Sequence, residues 1–468
     1  MKKNVLLICL SFLLLCGNVS GQNREKIQNG TILQCWCWSF KTIEENIPAI
    51  AEAGFTAIQT SPANTCVVGE NGGLSISSKD GTGNWFYHYQ PTDWKIGNYQ
   101  MGTREEFVSM CKKAEEYGLC VLVDVLPNHT TTELDQLAPE FVEAVGGLDK
   151  MFHKNSDHNI RGYSDRLECT TAKMGGLPDV NTESPLFQAY FMEYIKELIS
   201  LGVDGFRYDT AKHIGLPDDP KDEYSPENDF WPVFTGRKAL NGETLDCDDL
   251  FMYGEILQAT NSREGDYAEF IGVTANNYGA MIRSAVKNRK LSAKGLPNWN
   301  IAATADKLVT WVESHDTYAN EGETAGLTNE QIRLGWAIIT ARAGGTPLFF
   351  NRPQGQEATQ FPNASKIGDI GNDQFMHPEV AAVNKFRTAM VGEDETFINP
   401  GTTGVLVIKR GEKGAVIINA GAEGSTKISF EIGLPNGTYK DKAHNIKCKV
   451  KKGVATMTIP AGQVAVIY

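Results

Sequence analysis

The sequence predicts a (β/α)8 barrel followed by an antiparallel β-sandwich. Between residues 32 and 350, eight short apolar runs rich in β-branched residues alternate with stretches of helical period, which is typical of repeated βα units. After residue 392 the pattern changes to short alternating strands separated by Gly, Asn and Lys turns. We therefore expect a signal peptide at 1–21, a barrel domain at 22–392 and a C-terminal sandwich at 393–468.

The predicted barrel strands are short and bounded by polar or turn residues. They are TILQCWCW, FTAIQTSP, LCVLVDVLP, VDGFRYD, LFMYGEI, FIGVTA, LVTWVESHD and TPLFFNRP. Residues 104–118 and 185–202 have apolar side chains at helical spacing, with Gly118 as a C-terminal cap and Pro185 in a first turn. In the sandwich, the predicted strands are TGVLVIKR, GAVIINAG, TKISFEI, KCKVKKG and VATMTIP.

One long stretch, residues 130–183, shows neither the helical nor the strand spacing of apolar residues and is rich in Gly, Asn, Asp and His. A loop of this length is usually functional or forms a small structural unit of its own. We expect a small loop domain inserted after the third barrel strand.

The N-terminus has the layout of a signal peptide. Lys2 and Lys3 precede an apolar run at 5–16, which is followed by small and polar residues. The run is shorter than the roughly 20 residues that span a membrane, so we expect an exported protein without a membrane span, periplasmic or secreted. Cys16 leaves an outer-membrane lipoprotein as the alternative, although Leu15 before it is not the small residue that such a site requires.

Net charge and cysteine content indicate which partners, disulfides and metal sites to expect. A formal net charge of −13 argues against a nucleic-acid partner, because phosphate contacts need clustered Lys and Arg. The eight cysteines beyond the signal region are too sparse for a dense disulfide framework, and any disulfide pairing is left open. Cys35 and Cys37 alternate in a predicted strand, which favours two buried thiols over a metal pair. We expect a monomer.

Polar clusters end four of the predicted barrel strands, where active sites of such barrels lie. They are DVLPNH at 124–129, GFRYDTAKH at 205–213, YGE at 253–255 and ESHD at 313–316, and LPDVN at 177–181 lies in the predicted loop domain. Each motif alone is weak. All five together, in this order, resemble the α-amylase family of glycoside hydrolases.

The resemblance implies that Asp209 is the nucleophile, Glu255 the general acid/base and Asp316 a third, stabilising carboxylate. A retaining glycosidase needs one ionised and one protonated carboxyl, about 5 to 5.5 Å apart. We expect Arg207 to hold Asp209 ionised, and acidic neighbours with apolar walls to keep Glu255 protonated. An isolated acid at a strand end is more often a helix cap or a solvated charge, and Asp124 is interpreted as a supporting residue.

The resemblance also implies contacts with sugar rings, and flat aromatic side chains suit their apolar faces. Tyr89 is expected to stack on the sugar at the cleavage point, with packing against the barrel as the alternative. Lys212 and His213 are expected on the reducing-end side, which favours amylase specificity. The predicted sugar-contacting residues are Trp85, Phe86, Tyr89, His129, Arg207, Lys212, His213 and His315.

Calcium is the cofactor that the resemblance implies, in a site of hard oxygen ligands between the barrel and the loop domain. Asn128, Asp179 and the backbone carbonyl of His213 match three of the ligands. The candidates for the fourth are Asp165, Glu168 or a carbonyl near Thr170. A chloride site is not expected, because Ser314 stands where chloride-binding relatives have Asn, although Arg352 could contribute to one.

The activity implied is endo-acting, retaining hydrolysis of α-1,4 bonds in starch, glycogen and maltooligosaccharides. Within enzymes, the alternative is another α-glucan-active hydrolase or transglycosylase that acts on cyclodextrin or pullulan. In another class, the alternative is a non-catalytic glucan-binding surface protein. The presence of all three carboxylates with Arg207 favours an enzyme.

Overall fold

The computed structural model describes residues 21–69, 72–77, 84–355, 361 and 365–468. The predicted signal peptide, up to residue 20, and the alternative lipid site at Cys16 lie outside the described residues. Within the described ranges, no helix is both long enough and apolar enough to cross a membrane.

The first large unit is a closed barrel. Its region contains strands β1 Ile32–Cys35, β2 Ala57–Thr60, β3 Asn64–Cys66, β4 Pro91–Ile96, β5 Cys120–Val125, β6 Gly205–Tyr208, β7 Phe251–Gly254, β8 Gly272–Thr274, β9 Leu308–Thr310 and β10 Thr346–Phe350. All except β3 and β4 form one parallel barrel in which each strand pairs with the next, and β10 closes on β1. These eight strands fall within the eight predicted runs, so the barrel prediction is confirmed.

Helices connect the strands and cover the barrel. They are α1 Gln22–Asn29, α2 Phe40–Glu52, α3 Arg104–Glu116, α4 Pro139–Ala144, α5 Leu148–Met151, α6 Arg166–Thr171, α7 Pro185–Ser200, α8 Phe230–Phe234, α9 Glu264–Ala268, α10 Asn276–Lys287, α11 Asn329–Thr340 and α12 Pro378–Ala389. Thr103 and Glu106 form a capping box that starts α3, and Gly118 follows its end with φ +67°. With helices outside, β5 is buried along its whole length.

Helices α4, α5 and α6 lie in the long stretch between β5 and α7 that the sequence predicts as a loop domain. An isolated bridge between His129 and Asp179 joins this region to the end of β5. Val180 N–H also donates to the carbonyl of Asn128, at 2.8 Å. These backbone contacts bring the LPDVN segment beside the barrel mouth.

One local prediction is wrong. Strand β1 ends at Cys35, and Cys37 has φ +62° in a turn, so the two side chains do not alternate along one strand. Both thiols are nevertheless buried, as expected. The eight cysteines of the described ranges are all free, so none of them forms a disulfide.

The second unit consists of two antiparallel sheets. Its strands are β11 Glu395–Ile398, β12 Val405–Arg410, β13 Gly414–Asn419, β14 Ser425–Glu431, β15 Gly437–Lys440, β16 Lys447–Lys451, β17 Val454–Pro460 and β18 Gln463–Ile467. The first sheet has the order β11-β12-β13-β18 and the second β14-β17-β16-β15. Val407 and Ile417 of one sheet and Phe430 and Met457 of the other share a buried core. The predicted C-terminal β domain is confirmed, although the sequence pattern missed β11, β15 and β18.

Candidate active site

A cleft of about 680 Å³ lies at the C-terminal ends of the barrel strands. The three predicted catalytic carboxylates and seven of the predicted sugar-contacting residues line it; these are Asp209, Glu255, Asp316, Trp85, Phe86, Tyr89, His129, Lys212, His213 and His315. Arg207 is buried beneath the carboxylates and is not among the lining residues of the described part. The fold therefore brings four distant motifs into one place.

Arg207 is the electrostatic centre of this cluster. It lies on β6, and its Nη1 is 2.8 Å from Asp209 Oδ1 and 2.6 Å from Asp124 Oδ2. Nη2 lies 3.2 Å from Oε2 of Glu255, which follows the neighbouring strand β7. Thr210 has φ +47°, and its backbone N–H donates to the same Glu255 oxygen at 3.1 Å. Asp209 and Glu255 thus bind one guanidinium from adjacent strand ends.

One arginine among several carboxyls does not neutralise them all. Burial raises the pKa of Asp209, Glu255 adds to the increase, and Arg207 only partly offsets it. Burial likewise raises the pKa of Asp124 to about 7, against the opposing charge of Arg207. The contact through which Arg207 is expected to hold Asp209 ionised is present, and it lowers the pKa of Asp209 against burial and the neighbouring acid.

Asp316 begins a short π-helical turn, Asp316–Asn320, after β9. Its Oδ1 accepts a hydrogen bond from Asn320 Nδ2 at 2.5 Å, and its Oδ2 lies 3.3 Å from His315 Nε2. Burial and the nearby Glu255 raise the pKa of Asp316 well above its ordinary range. The sequence analysis did not identify Asn320, which also lines the cleft.

His315 is held from behind by Gln34, a residue of β1. Gln34 Nε2 lies 3.1 Å from His315 Nδ1. Burial lowers the pKa of His315 well below its ordinary value, so the ring is neutral and carries one N–H. If Nε2–H faces Asp316, then Nδ1 must accept from the Gln34 amide. Gln34 thereby selects the tautomer, a role that the sequence analysis also missed.

The aromatic residues form a packed corner of the cleft. The Tyr89 ring stacks on His315 with 5.2 Å between centroids and meets Trp85 edge-on at 5.7 Å. The Tyr89 hydroxyl donates to Asp124 at 2.9 Å, and Phe86 packs edge-on against Trp85. Tyr89 therefore packs against the barrel, as one of the two alternatives predicts, and it also lines the cleft; its stacking on a sugar stays a prediction.

A further aromatic residue of the cleft comes from the predicted loop domain. Tyr163 lines the cleft, is 48% exposed, and lies under the Lys212 ammonium, 5.2 Å from the ring centroid. It also meets His213 edge-on at 5.8 Å. A tyrosine beside Gly162 in a polar stretch is the signal that could have identified it in the sequence.

Comparisons with known proteins show which proteins this chain resembles. Residues 169–329 match the family described as the alpha-amylase catalytic domain. An alpha-amylase of Butyrivibrio fibrisolvens is 45% identical over 471 residues, which covers 95% of this chain and 48% of that protein. An alpha-amylase of Clostridium acetobutylicum is 32% identical, covering 96% of this chain and 55% of that protein. Along nearly its whole length, the chain is similar to alpha-amylases. It spans about half the length of these two relatives.

Solved structures of this family share the fold. A mutant of alpha-amylase I from Eisenia fetida in complex with maltohexaose superposes with a TM-score of 0.74 at 18% identity, covering 94% of this chain and 97% of that one. The alpha-amylase of Geobacillus thermoleovorans, complexed with acarbose, gives 0.70 at 17% identity, covering 94% and 98%. Identities this low support the architecture alone.

The α-amylase resemblance implies a calcium site, and three of its predicted ligands have suitable chemistry. Asn128 Nδ2 donates to Asp179 Oδ2 at 3.1 Å, which leaves the buried Asn128 Oδ1 without a hydrogen-bond partner among the described residues. That oxygen, the Asp179 carboxylate and the His213 carbonyl are hard oxygen donors of the kind calcium prefers. The described residues hold no group of three or more His, Cys, Asp or Glu side chains that could bind a metal, so backbone and amide oxygens would have to contribute.

The two carboxylates considered for the fourth ligand are already engaged. Glu168 binds Arg161 and His158, and Asp165 caps α6 by accepting from backbone N–H groups. The carbonyl near Thr170 is the predicted alternative that these contacts leave open. Nearby, His153 bridges Asp179 and Glu183 at 2.6 and 2.8 Å. Burial opposes its protonation, but the two carboxylates raise the pKa of His153 to about 10.

Arg352, considered for chloride, makes four hydrogen bonds to other protein groups. Its Nε and Nη2 bind both oxygens of Glu313, at 2.8 and 2.7 Å, and it donates to the carbonyls of Thr324 and Leu327. These contacts fasten the segment after Asp316 to the end of β10.

Proposed function

We propose that this protein hydrolyses internal α-1,4 bonds of starch, glycogen and maltooligosaccharides with retention of anomeric configuration. The observation that carries the proposal is the convergence of Asp209, Glu255 and Asp316 around Arg207 in one open cleft. The names of the curated relatives support the substrate class. A cleft open to solvent suits a long chain better than a closed pocket would.

In the proposed first step, an Asp209 oxygen attacks the anomeric carbon while the bond to the leaving oxygen breaks. Glu255 gives its proton to that oxygen, and a covalent glycosyl ester forms on Asp209. In the second step, Glu255 takes a proton from water, the water oxygen attacks the anomeric carbon, and the ester bond to Asp209 breaks. Asp316, held by Asn320 and His315, orients the distorted sugar and stabilises its positive charge.

Around the reacting sugar, Tyr89 supplies a stacking face and His129 and His315 supply hydrogen bonds to hydroxyls. His129 Nε2 already contacts the Tyr89 carbonyl at 2.9 Å, while its buried Nδ1 has no partner among the described residues. Lys212 and Tyr163 lie together and would contact the sugars on the leaving side.

We also propose that calcium binds to Asn128, Asp179 and the His213 carbonyl and ties the loop domain to the barrel. The ion would supply positive charge and fixed geometry for that junction. A chelator should lower the melting temperature and calcium should restore it. At a hundredfold excess over its dissociation constant, calcium should add about 2.7 kcal/mol to the free energy of unfolding. An unchanged melting temperature after exhaustive chelation would contradict a calcium site at these residues.

The signal-like N-terminus supports export, periplasmic or secreted, and we propose that the exported protein is a monomer. Cell fractionation of the full chain, followed by N-terminal sequencing and sedimentation velocity, tests both points. Recovery in the membrane fraction with a blocked N-terminus at Cys16 would replace this proposal with the lipoprotein alternative.

The activity is tested by reducing-sugar release and product profiles on amylose, pullulan and cyclodextrins. Asp209→Asn should abolish turnover, whereas Glu255→Gln should retain turnover of an activated glycosyl fluoride, which needs little acid assistance. Glu227→Gln, an exposed carboxyl elsewhere, is the matched control. Proton NMR of the first product should show the α-anomer, and a first-formed β-anomer would require withdrawing Asp209 as nucleophile.

The same assays address the alternatives. Preferred cleavage of pullulan or cyclodextrin, or transfer products, would assign the chain to another α-glucan activity. Glucan binding without any reducing-sugar release from the folded, calcium-replete protein would assign it to a non-catalytic binding function.

A further inference from the structure

The charge of the chain is unevenly distributed. Residues 393–468 contain ten Lys and Arg against seven Asp and Glu, a net charge of +3, although the whole chain carries −13. The remaining residues therefore carry −16. The C-terminal sheets are the basic part of an acidic protein.

Five of these cations lie on one side of the second sheet. They are Lys427, Lys440, Lys447, Lys449 and Lys451, called here the basic face, and all are exposed. The alternate residues Ile428, Cys448 and Val450 are buried in the sandwich core, so the lysines point outward together. None of the five forms an ion pair within the described ranges, and Glu431 at the edge is the acidic residue on this side of β14.

The strand register places the five charges across the whole sheet. Lys440 pairs directly with Lys447, and Lys427 pairs with Thr458, which lies next to Lys447 in the same row. Within such a row, residues on neighbouring strands are about 4.8 Å apart. Successive rows on the same face are about 6.8 Å apart along a strand, because they are two residues apart. The charges thus cover a patch of roughly 14 by 14 Å. Thr438 and Thr456 flank Lys449 and add hydroxyl donors.

This arrangement is not the one that folding alone favours. Like charges directly opposite each other on neighbouring strands destabilise a sheet, and Lys440 and Lys447 are such a pair. An exposed cross-strand pair of this type would be more stable with one partner acidic or neutral. The cost is offset if the face meets a surface of opposite charge.

We propose that the basic face docks on an anionic lipid surface, such as the headgroups of a phosphatidylglycerol-containing bilayer. The charges extend in two dimensions over a sheet face and do not follow a line or a groove, which fits a planar array of phosphates better than a linear polyanion. The acidic remainder of the chain is repelled by the same surface, so docking is oriented, with the basic face toward the lipid. This inference does not depend on the proposed glycosidase activity.

Co-sedimentation of the full chain with phosphatidylcholine vesicles, with and without phosphatidylglycerol, tests the proposal. Binding should require phosphatidylglycerol and decline with salt, because exposed charges are screened. A lysine near an anionic leaflet raises the binding constant about fivefold, so Lys447→Gln/Lys449→Gln/Lys451→Gln should weaken binding about a hundredfold. The control Lys112→Gln/Lys287→Gln/Lys385→Gln removes the same charge from exposed helix positions and should bind like the wild type.

The folding of the variant is checked by its melting temperature, which should be unchanged or higher because the Lys440–Lys447 repulsion is relieved. If it melts lower, Lys427→Gln/Lys440→Gln on the flanking strands replaces it, with an expected loss of about 25-fold. The proposal is overturned by equal binding to neutral vesicles, by an equal loss in the control variant, or by absence of binding. It is also overturned if the face binds heparin but not vesicles, or if its variant converts an oligomer to a monomer.

Discussion

The buried pair of Arg352 and Glu313 offers a quantitative test of how the site is held. The side chains are only 7% and 2% exposed and share two hydrogen bonds, and Arg352 also donates to the carbonyls of Leu327 and Thr324, at 2.9 and 2.6 Å. Arg352→Met removes all four contacts. Removing one partner of a buried pair costs about 3–5 kcal/mol, because the other charge is left uncompensated.

The two carbonyls add to this loss, at about 1 kcal/mol for each donor removed. We therefore expect Arg352→Met to lower the free energy of unfolding by about 5–7 kcal/mol. Glu313→Leu/Arg352→Met also removes the carboxylate that is left without a partner. The double variant should therefore regain most of the free energy lost through the uncompensated charge, and it should remain about 2 kcal/mol less stable than the wild type because the two carbonyl contacts are still missing. Arg104→Met, which breaks an exposed pair with Glu197, is the control and should change little.

Urea unfolding followed by tryptophan fluorescence and by circular dichroism measures these values and shows whether the two units unfold together. At a temperature where Arg352→Met is still folded, its turnover should also fall, because the released segment follows Asp316. The reasoning is refuted if Arg352→Met lowers the free energy of unfolding by less than about 1 kcal/mol. It is also refuted if the loss in the double variant equals the sum of the losses in Arg352→Met and Glu313→Leu measured separately.

Three further predictions concern single contacts. Asn320→Ala should lower kcat on amylose about 10- to 100-fold with little change in melting temperature, because a hydrogen bond to a charged group is lost; a change confined to KM contradicts this. Gln34→Glu should reduce kcat more than Gln34→Met, because only the carboxylate forces the wrong histidine tautomer; equal losses would show packing alone. The Glu379 contact raises the pKa of His444, so it stabilises the fold below about pH 6.5 and progressively less as pH rises; the melting-temperature difference between wild type and His444→Gln should shrink from pH 6 to pH 9.

The barrel and its carboxylates could be predicted because both have local signals. Each barrel strand is a short apolar run, and Asp209, Glu255 and Asp316 follow such runs closely along the chain. A closed barrel then directs all strand ends to one mouth, so position along the chain is enough to group the residues. Of the strands missed in the C-terminal unit, β15 has a weak pattern, because it is a largely exposed edge strand with one partly buried side chain.

Other functional contacts depend on distances that the sequence does not encode. Gln34 lies on β1 and meets His315 only because the barrel closes between β1 and β10. Asn320 reaches Asp316 through a π-helical turn, whose spacing no helical or strand pattern anticipates. Cys37 lies beyond the end of β1 and itself has φ +62°, a left-handed conformation that is unusual for residues other than Gly, Asn or Asp.

The site also explains how a buried group of acids can carry out the proposed reaction. Asp124, Asp209, Glu255 and Asp316 lie around a single cation, Arg207, and the neighbouring His315 is neutral. Four ionised carboxylates in this buried setting would be costly, and burial raises the pKa values of Asp124, Asp209 and Asp316 while Arg207 partly offsets the increase. In the first proposed step Asp209 loses its charge to the ester just as Glu255 gains one by releasing its proton. The net charge of the cluster is then the same before and after bond cleavage, so the burial that raises these pKa values does not oppose the reaction.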